Sequence, residues 1–242
     1  VIMEVTGNLH FEGLVLLFLL ASLLAIQKQK IGLSGGFWGL AIGMKLLPIM
    51  LGPAFLAFEK SRRSVWFWAG TTLAFIVCFI PLLIDESWVN FAQSIKLYQG
   101  KFEFNASIYY LVREVGYWIE GYNVIGYVIP YFSVATIILI GYFSWKRQPK
   151  SIFELVDLMV LIYLVYLLLQ PVVHPWYILP ALGLSVIRGK LTFLLWSFGA
   201  IFSYQAYGNA DFQEQYIFLI LEYGLVVLGI YLDYFSKRNK TT

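Results

Sequence analysis

Two histidines, one isolated lysine and a few carboxylates are the residues of this chain best suited to polar chemistry. His10 and His174 are its only imidazoles. An imidazole can donate a hydrogen bond to a phosphate or exchange a proton near neutral pH. His174 stands in Gln170-Pro171-Val172-Val173-His174-Pro175-Trp176-Tyr177. Two prolines there interrupt helix and present the ring on an irregular turn. In a membrane such backbone survives where protein or a watery cavity satisfies it, so His174 is expected to line a ligand site. Lys45 is flanked by Gly43-Met44 and Leu46-Leu47-Pro48. A charge embedded in apolar sequence is costly and tends to be functional, here as a cation for a phosphate. A lysine snorkelling to the interface is the plainer alternative. Arg113 and Asn105 lie in a polar-aromatic stretch, within reach of a headgroup or sugar; a solvated pair of Arg113 with Glu114 is the plainer alternative. Glu4, Asn8 and Glu12 recur every four residues and would share one helical face, lining a cavity or forming the wet end of a helix. Glu222, in the middle of an apolar run, reads as a buried, hydrogen-bonded carboxylate.

Other chemistries find no support. There is no Walker A loop, dinucleotide fingerprint, Gly-x-Ser-x-Gly or intramembrane metalloprotease pattern. The single Cys78 sits in an apolar run, which gives neither a disulfide framework nor a cysteine metal site. Two histidines without matching acidic spacing make no metal-ligand set, so neither a metal nor a cofactor is expected.

The elements that hold these residues belong to a membrane. Of 242 residues, 60% are hydrophobic and only 13% charged, against ~25% charged in soluble domains. Mean hydropathy is +0.74. A soluble fold must cover itself with polar groups, so a soluble enzyme, a nucleic-acid module and a disordered chain are excluded. The net charge of +3 is too small for a polyanion-binding surface. The fold class expected is an all-α, polytopic transmembrane bundle forming one domain over residues 1–242. Apolar runs lie at Phe11–Ile26, Leu33–Phe58, Val65–Ile84, Val124–Trp145, Ile152–Leu169, Trp176–Ile187, Leu191–Tyr207 and Tyr216–Phe235. Five clusters close them: Lys28 and Lys30; Lys60, Arg62 and Arg63; Lys146, Arg147 and Lys150; Arg188 and Lys190; Lys237, Arg238 and Lys240. Together they hold 13 of the 17 Lys and Arg residues.

Short basic loops stay in the cytoplasm. All five clusters can face inside only if Leu33–Phe58 enters and returns. Lys45-Leu46-Leu47-Pro48 supplies the break for such a hairpin, because proline disfavours helix at the residue before it. One tilted helix is the alternative. The other face then receives His10, the Lys45–Pro48 tip, a long loop of about 85–122, the His174 turn and the loop 208–215, and the C-terminus is cytoplasmic. Within the long loop, Ile108, Leu111, Val112, Val115 and Ile119 recur at helical spacing. They predict an amphipathic helix over Phe102–Ile119 lying in the outer interface.

Four segments carry a family resemblance. Glu4-Val5-Thr6-Gly7-Asn8-Leu9-His10-Phe11-Glu12-Gly13, followed by a span, resembles the middle of polytopic glycosyltransferases of the GT-C superfamily. Gly39-Leu40-Ala41-Ile42-Gly43-Met44-Lys45-Leu46-Leu47-Pro48 is similar to their Gly-x-Ala-x-x-x-Lys-x-x-Pro hairpin. Phe102 to Arg113 resembles a block in bacterial mannosyltransferase-like members, and His174-Pro175-Trp176-Tyr177 resembles their His-Pro-Trp-Tyr turn. The resemblance implies an inverting transferase that takes a sugar, often mannose, from a polyprenyl-phosphate donor in a bacterial inner membrane. The lipid donor is a substrate, so no cofactor is implied.

Lys45, Arg113, His174, Asn105, His10 and Tyr177 are the expected substrate-binding residues. The general base of such enzymes lies in the first outer loop. The chain starts at Val1 without an initiator, which suggests that this loop lies upstream and that residues 1–242 alone are inactive. Glu4 and Glu12 are weak substitutes for the base. Partners are the lipid-linked donor and membrane lipids, with no nucleic acid. A transporter or flippase fragment and a non-catalytic scaffold subunit are the competing classes; the first predicts inverted repeats, and none is evident.

Overall fold

The computed structural model describes residues 7, 8, 10–84, 87–208 and 212–236, with only the backbone of 96–101. Among the described residues the chain is all-α. The helices are α1 (Glu12–Gln27), α2 (Ile31–Met44), α3 (Gly52–Ala57), α4 (Glu59–Arg62), α5 (Val65–Leu83), α6 (Ser87–Lys101), α7 (Ile108–Glu120), α8 (Ile125–Arg147), α9 (Ile152–Leu169), α10 (Leu179–Ile187), α11 (Thr192–Gly199) and α12 (Tyr216–Tyr234). Turns of 3₁₀ helix occupy Leu47–Leu51, Pro175–Ile178 and Ala200–Gly208. Helices α5, α8, α9 and α12 are long and apolar enough to cross a bilayer, while α1, α2 and α10 fall short of that length. Helix α9 is the axis of the bundle, with Leu155, Val156, Leu158, Met159, Ile162, Tyr163 and Leu167 all buried.

The segment between α2 and α5 is a hairpin that enters and returns. Gly32 lies against Trp66, Gly39 against Thr71 and Gly43 against Cys78, so α5 runs parallel to α2. Residues 45–64 must therefore lead back from the end of α2 to its beginning. They do so as a broken helix folded onto α2: Trp38 Nε1 donates to the Pro48 carbonyl at 3.1 Å, and the Trp38 and Phe55 rings lie 4.7 Å apart. The close approach of α2 and α5 needs glycine. A Cβ at Gly39 would sit 2.5 Å from the Thr71 carbonyl, and one at Gly35 would overlap the Phe67 carbonyl. Small residues of this kind let membrane helices pack backbone to backbone. Thr71 Oγ1 uses the proximity to donate to the Gly35 carbonyl at 3.1 Å.

Helices α1 and α2 are antiparallel, joined by Ser22 and Ser34 hydroxyls 2.9 Å apart. Helices α9 and α10 are antiparallel too, tied by Asp157, which pairs with Arg188 at 3.0 Å and Lys190 at 3.2 Å. The bundle therefore has two unlike ends. One carries Lys28, Lys30, Arg62, Arg63, Lys146, Arg147, Lys150, Arg188 and Lys190, together with the N-terminal caps. Ser64 accepts from the Phe67 N–H, Ser151 from the Glu154 N–H, and Asp233 from the N–H groups of Leu191 and Thr192. The opposite end carries His10, Glu12, Lys45 and the His174 turn.

Some elements differ from the sequence-based expectation. The helix expected over Phe102–Ile119 starts at Ile108. Phe102–Ser107 is non-helical, and Phe104 forms a parallel bridge with Val172: its N–H donates to the Pro171 carbonyl at 3.0 Å, and its carbonyl accepts from the Val173 N–H at 2.8 Å. The apolar repeat that predicted the helix begins only at Ile108, and the residues before it are held by this long-range pairing instead. Ser87–Lys101 adds a second helix to the same loop. Helix α7 presents its apolar stripe away from the bundle: Leu111 and Ile119 are each 70% exposed and Trp118 is 89%, while Tyr109, Tyr110 and Gly116 face inward. This orientation suits a helix lying in the bilayer interface. Asn8 lies in a bend ahead of α1, so it does not share a helical face with Glu12, and Glu4 lies outside the described residues. The run Leu191–Tyr207 is not one span but α11 followed by a 3₁₀ segment.

Candidate functional site

Three chain breaks converge at the end of the bundle away from the basic clusters. Helix α2 stops at Lys45, whose backbone is extended at φ −158°; Pro48, four residues after Met44, has no N–H to continue the helix onto the Met44 carbonyl. Its ammonium pairs with the carboxylate of Glu12, in the first turn of α1, and lies 4.7 Å from the centroid of the Tyr177 ring. Glu12 is 2% exposed and Lys45 34%. The second Glu12 oxygen, Oε2, is buried and has no hydrogen-bond partner among the described residues. Charge and geometry suit a lysine held in place by a carboxylate below it and a π face beside it.

The His-Pro-Trp-Tyr turn supplies the wall. Pro175 starts a 3₁₀ turn that the Tyr177 N–H closes onto the His174 carbonyl at 2.9 Å. Trp176 is sandwiched between the two histidines. His10 stacks on it at 3.8 Å and 14°, and His174 at 4.3 Å and 11°. Tyr177 meets His174 edge-on at 5.4 Å, and Phe104 lies 5.0 Å from the same imidazole. Four of the expected residues, Lys45, His10, His174 and Tyr177, thus share one aromatic-walled cluster with Glu12. The sequence marks Trp176 as part of the turn but gives no sign that both of its faces are occupied.

Arg113 and Asn105 stand elsewhere, and Phe102–Asn105 explains why. Alternate side chains of extended backbone point to opposite sides. Phe102 and Phe104 face His174, while Glu103 faces α7. There Arg113 pairs with Glu103 at 2.6 Å and Glu114 at 2.9 Å and lies over the Tyr110 ring. Glu103 also accepts from Tyr109 at 2.7 Å and Asn123 at 3.2 Å. Asn105 is fully buried in the left-handed region at φ 48°, where asparagine is among the few residues tolerated. Its Nδ2 donates to Glu222 at 2.9 Å and to the Val173 carbonyl at 3.2 Å. Its N–H donates to Glu214 at 2.8 Å, and its carbonyl accepts from Tyr223. Glu222 accepts also from Trp196 Nε1 at 2.9 Å, as expected for a buried, hydrogen-bonded carboxylate. Glu214, which the sequence did not single out, ties this knot to Tyr110. Burial holds the Glu214 carboxyl above its ordinary value of 4.5, against the pull of the Tyr110 hydroxyl and the Asn105 N–H. Glu114 is held below that value by its hydrogen bond from Arg113.

The fold and this cluster define a polytopic membrane protein with a cation and two imidazoles gathered at one end of its bundle. The chain belongs to glycosyltransferase family 87, a family of the GT-C type, whose model matches residues 5–171. The match spans α1 to α9, including His10, Glu12, Lys45, Asn105 and Arg113, and ends just before the His174 turn. Neither a curated protein nor a solved structure matches the chain significantly. The protein is a membrane glycosyltransferase.

Proposed function

We propose that the protein transfers a sugar, mannose in the first instance, from a polyprenyl-phosphate donor to an acceptor on the outer face of a bacterial inner membrane, with inversion. The acceptor oxygen forms a bond to the anomeric carbon as the bond from that carbon to the phosphate oxygen breaks. The acceptor proton goes to a carboxylate base. The lipid phosphate leaves as a stable anion, so the scheme requires neither a general acid nor a metal. The protein must supply positioning and donors for the phosphate. Lys45 and His174 take that task, and His10 and Tyr177 support them. Glu12, already committed to Lys45, serves better as its anchor than as the base. Arg113 and Asn105 hold the loop that carries Phe104 against His174.

The observation that carries this reading is the lysine at a helix break beside Tyr177, whose ring meets His174 edge-on. The basic residues at the opposite end favour a cytoplasmic C-terminus and an outward-facing cluster. The test is sugar transfer from a polyprenyl-phosphate donor by wild type, Lys45→Ala and His174→Ala in membranes. A charge-assisted hydrogen bond contributes about 1.5–3 kcal/mol, so at least one variant should lose about tenfold or more in transfer. Normal transfer by both would remove the phosphate site. In a Cys78→Ser background, labelling of Arg63→Cys or Arg147→Cys by an outside, impermeant thiol reagent would reverse the orientation.

A further inference from the structure

A second site lies at the corner between α7 and α8. Gly121 ends α7 in the left-handed conformation at φ 77°, and its N–H donates to the Tyr117 carbonyl at 3.1 Å. The chain then turns back so that Val124 docks on Gly116, where a Cβ would lie 2.5 Å from the valine. The corner leaves a groove of about 460 Å³, within the size range of small-molecule sites. Gly116 and Val124 form its buried floor. Val112, Val115, Ile119 and Val128 form its apolar walls, and Glu120, Tyr122 and Tyr127 its exposed rim. The groove opens beside the outward-facing apolar stripe of α7. It continues into the exposed flank of α8 at Tyr131, Val134 and Ile138, the surface that meets the bilayer.

The rim decides what fits. Glu120 is its one ionisable acid, and none of the described ion pairs involves it. Tyr122 and Tyr127 line the same rim as Glu120. A carboxylate beside two phenol rings favours an ammonium and disfavours a phosphate-terminated or anionic head. The groove begins at Val112, about 6 Å along α7 from Ile108, and runs away from that end to Glu120 and α8; none of its lining residues belongs to the His174 cluster, so it is separate from the proposed donor site. We infer that this corner binds a phospholipid with an ammonium headgroup, its acyl chain in the groove and its amine at Glu120.

The test is native mass spectrometry of the full protein released from detergent, after exposure to phosphatidylethanolamine or phosphatidylglycerol with identical chains. Wild type should retain one phosphatidylethanolamine in preference. Glu120→Gln, an exposed change that leaves the fold intact, should cut that preference about threefold or more. Val112→Trp should fill the groove and lower retention of both lipids. Equal retention of the two lipids by wild type would overturn the proposal. So would a preference untouched by Glu120→Gln, or displacement of the lipid by polyprenyl phosphate.

Discussion

Glu12 and Lys45 form an ion pair between the first turn of α1 and the residue that ends α2, with the acid buried and the base one-third exposed. The pair closes the antiparallel helices at the end where the cluster lies. Removing one partner of a buried pair leaves an uncompensated charge. Glu12→Gln is therefore expected to destabilise the protein by up to about 3 kcal/mol and to raise the donor KM through a misplaced lysine. Lys45→Met added to Glu12→Gln should recover part of the lost stability. Thermal unfolding in detergent and a double-mutant cycle measure this; strictly additive effects would show that the two side chains do not support each other.

Trp176 has an imidazole on each face, so neither face is open to stack on a sugar ring. Trp176→Ala should release both histidines and lower transfer more than His10→Ala does. Trp176→Phe, which keeps a flat ring between them, should retain most activity. Kinetics of the three variants under saturating acceptor decide it. A sugar-stacking tryptophan would instead change donor preference in Trp176→Phe.

Arg113 is balanced by Glu103 and Glu114. Arg113→Ala should leave Glu103 without its cation and lower the thermal midpoint, with donor KM less affected than by His174→Ala. Arg113→Lys should rescue only partly, because one ammonium cannot reproduce the guanidinium fork shared by two carboxylates. A large rise in donor KM at unchanged stability would instead make Arg113 a phosphate ligand.

The raised Glu214 carboxyl gives stability a pH dependence of known sign. In the unfolded chain the group ionises near 4.5; in the folded chain it keeps its proton to higher pH. Over that interval the folded state binds more protons, so this group's contribution to stability falls as pH rises. Glu214→Gln should flatten that part of the profile. Unfolding of both proteins from pH 4 upward tests it, and parallel profiles would remove Glu214 as the cause.

Local signals made much of this legible in the sequence. Pro48, close to a lysine within an apolar run, and the two prolines around His174 mark helix breaks, so the Lys45 break and the irregular turn could be read directly, although Pro81 and Pro130 lie inside α5 and α8. Basic residues at both ends of Leu33–Phe58 forced an entering and returning segment, which the parallel α2 and α5 then require. What was not legible depends on distant partners. Phe104 pairs with Val172, 68 residues on, a partner that nothing near Phe104 in the sequence announces. Arg113 is surrounded by Glu103 and a tyrosine tied to Glu214, so its composition suggested a surface ligand. Asn105 looks like any polar loop residue until Glu214, Glu222 and Tyr223 close around it.

The returning hairpin also sets a depth. Helix α2 has 14 residues, about 21 Å at 1.5 Å per residue, against a hydrocarbon core of about 30 Å. With its basic end at one membrane surface, Lys45 stops roughly 9 Å short of the other. On the proposed function, a donor phosphate drawn to that lysine is pulled beneath the headgroup plane. On the same proposal the acceptor must descend to meet the activated sugar, and hydrolysis is disfavoured by that depth. Loosening the tip, as Gly39→Leu would by pushing α2 off α5, should raise the ratio of free sugar released to sugar transferred.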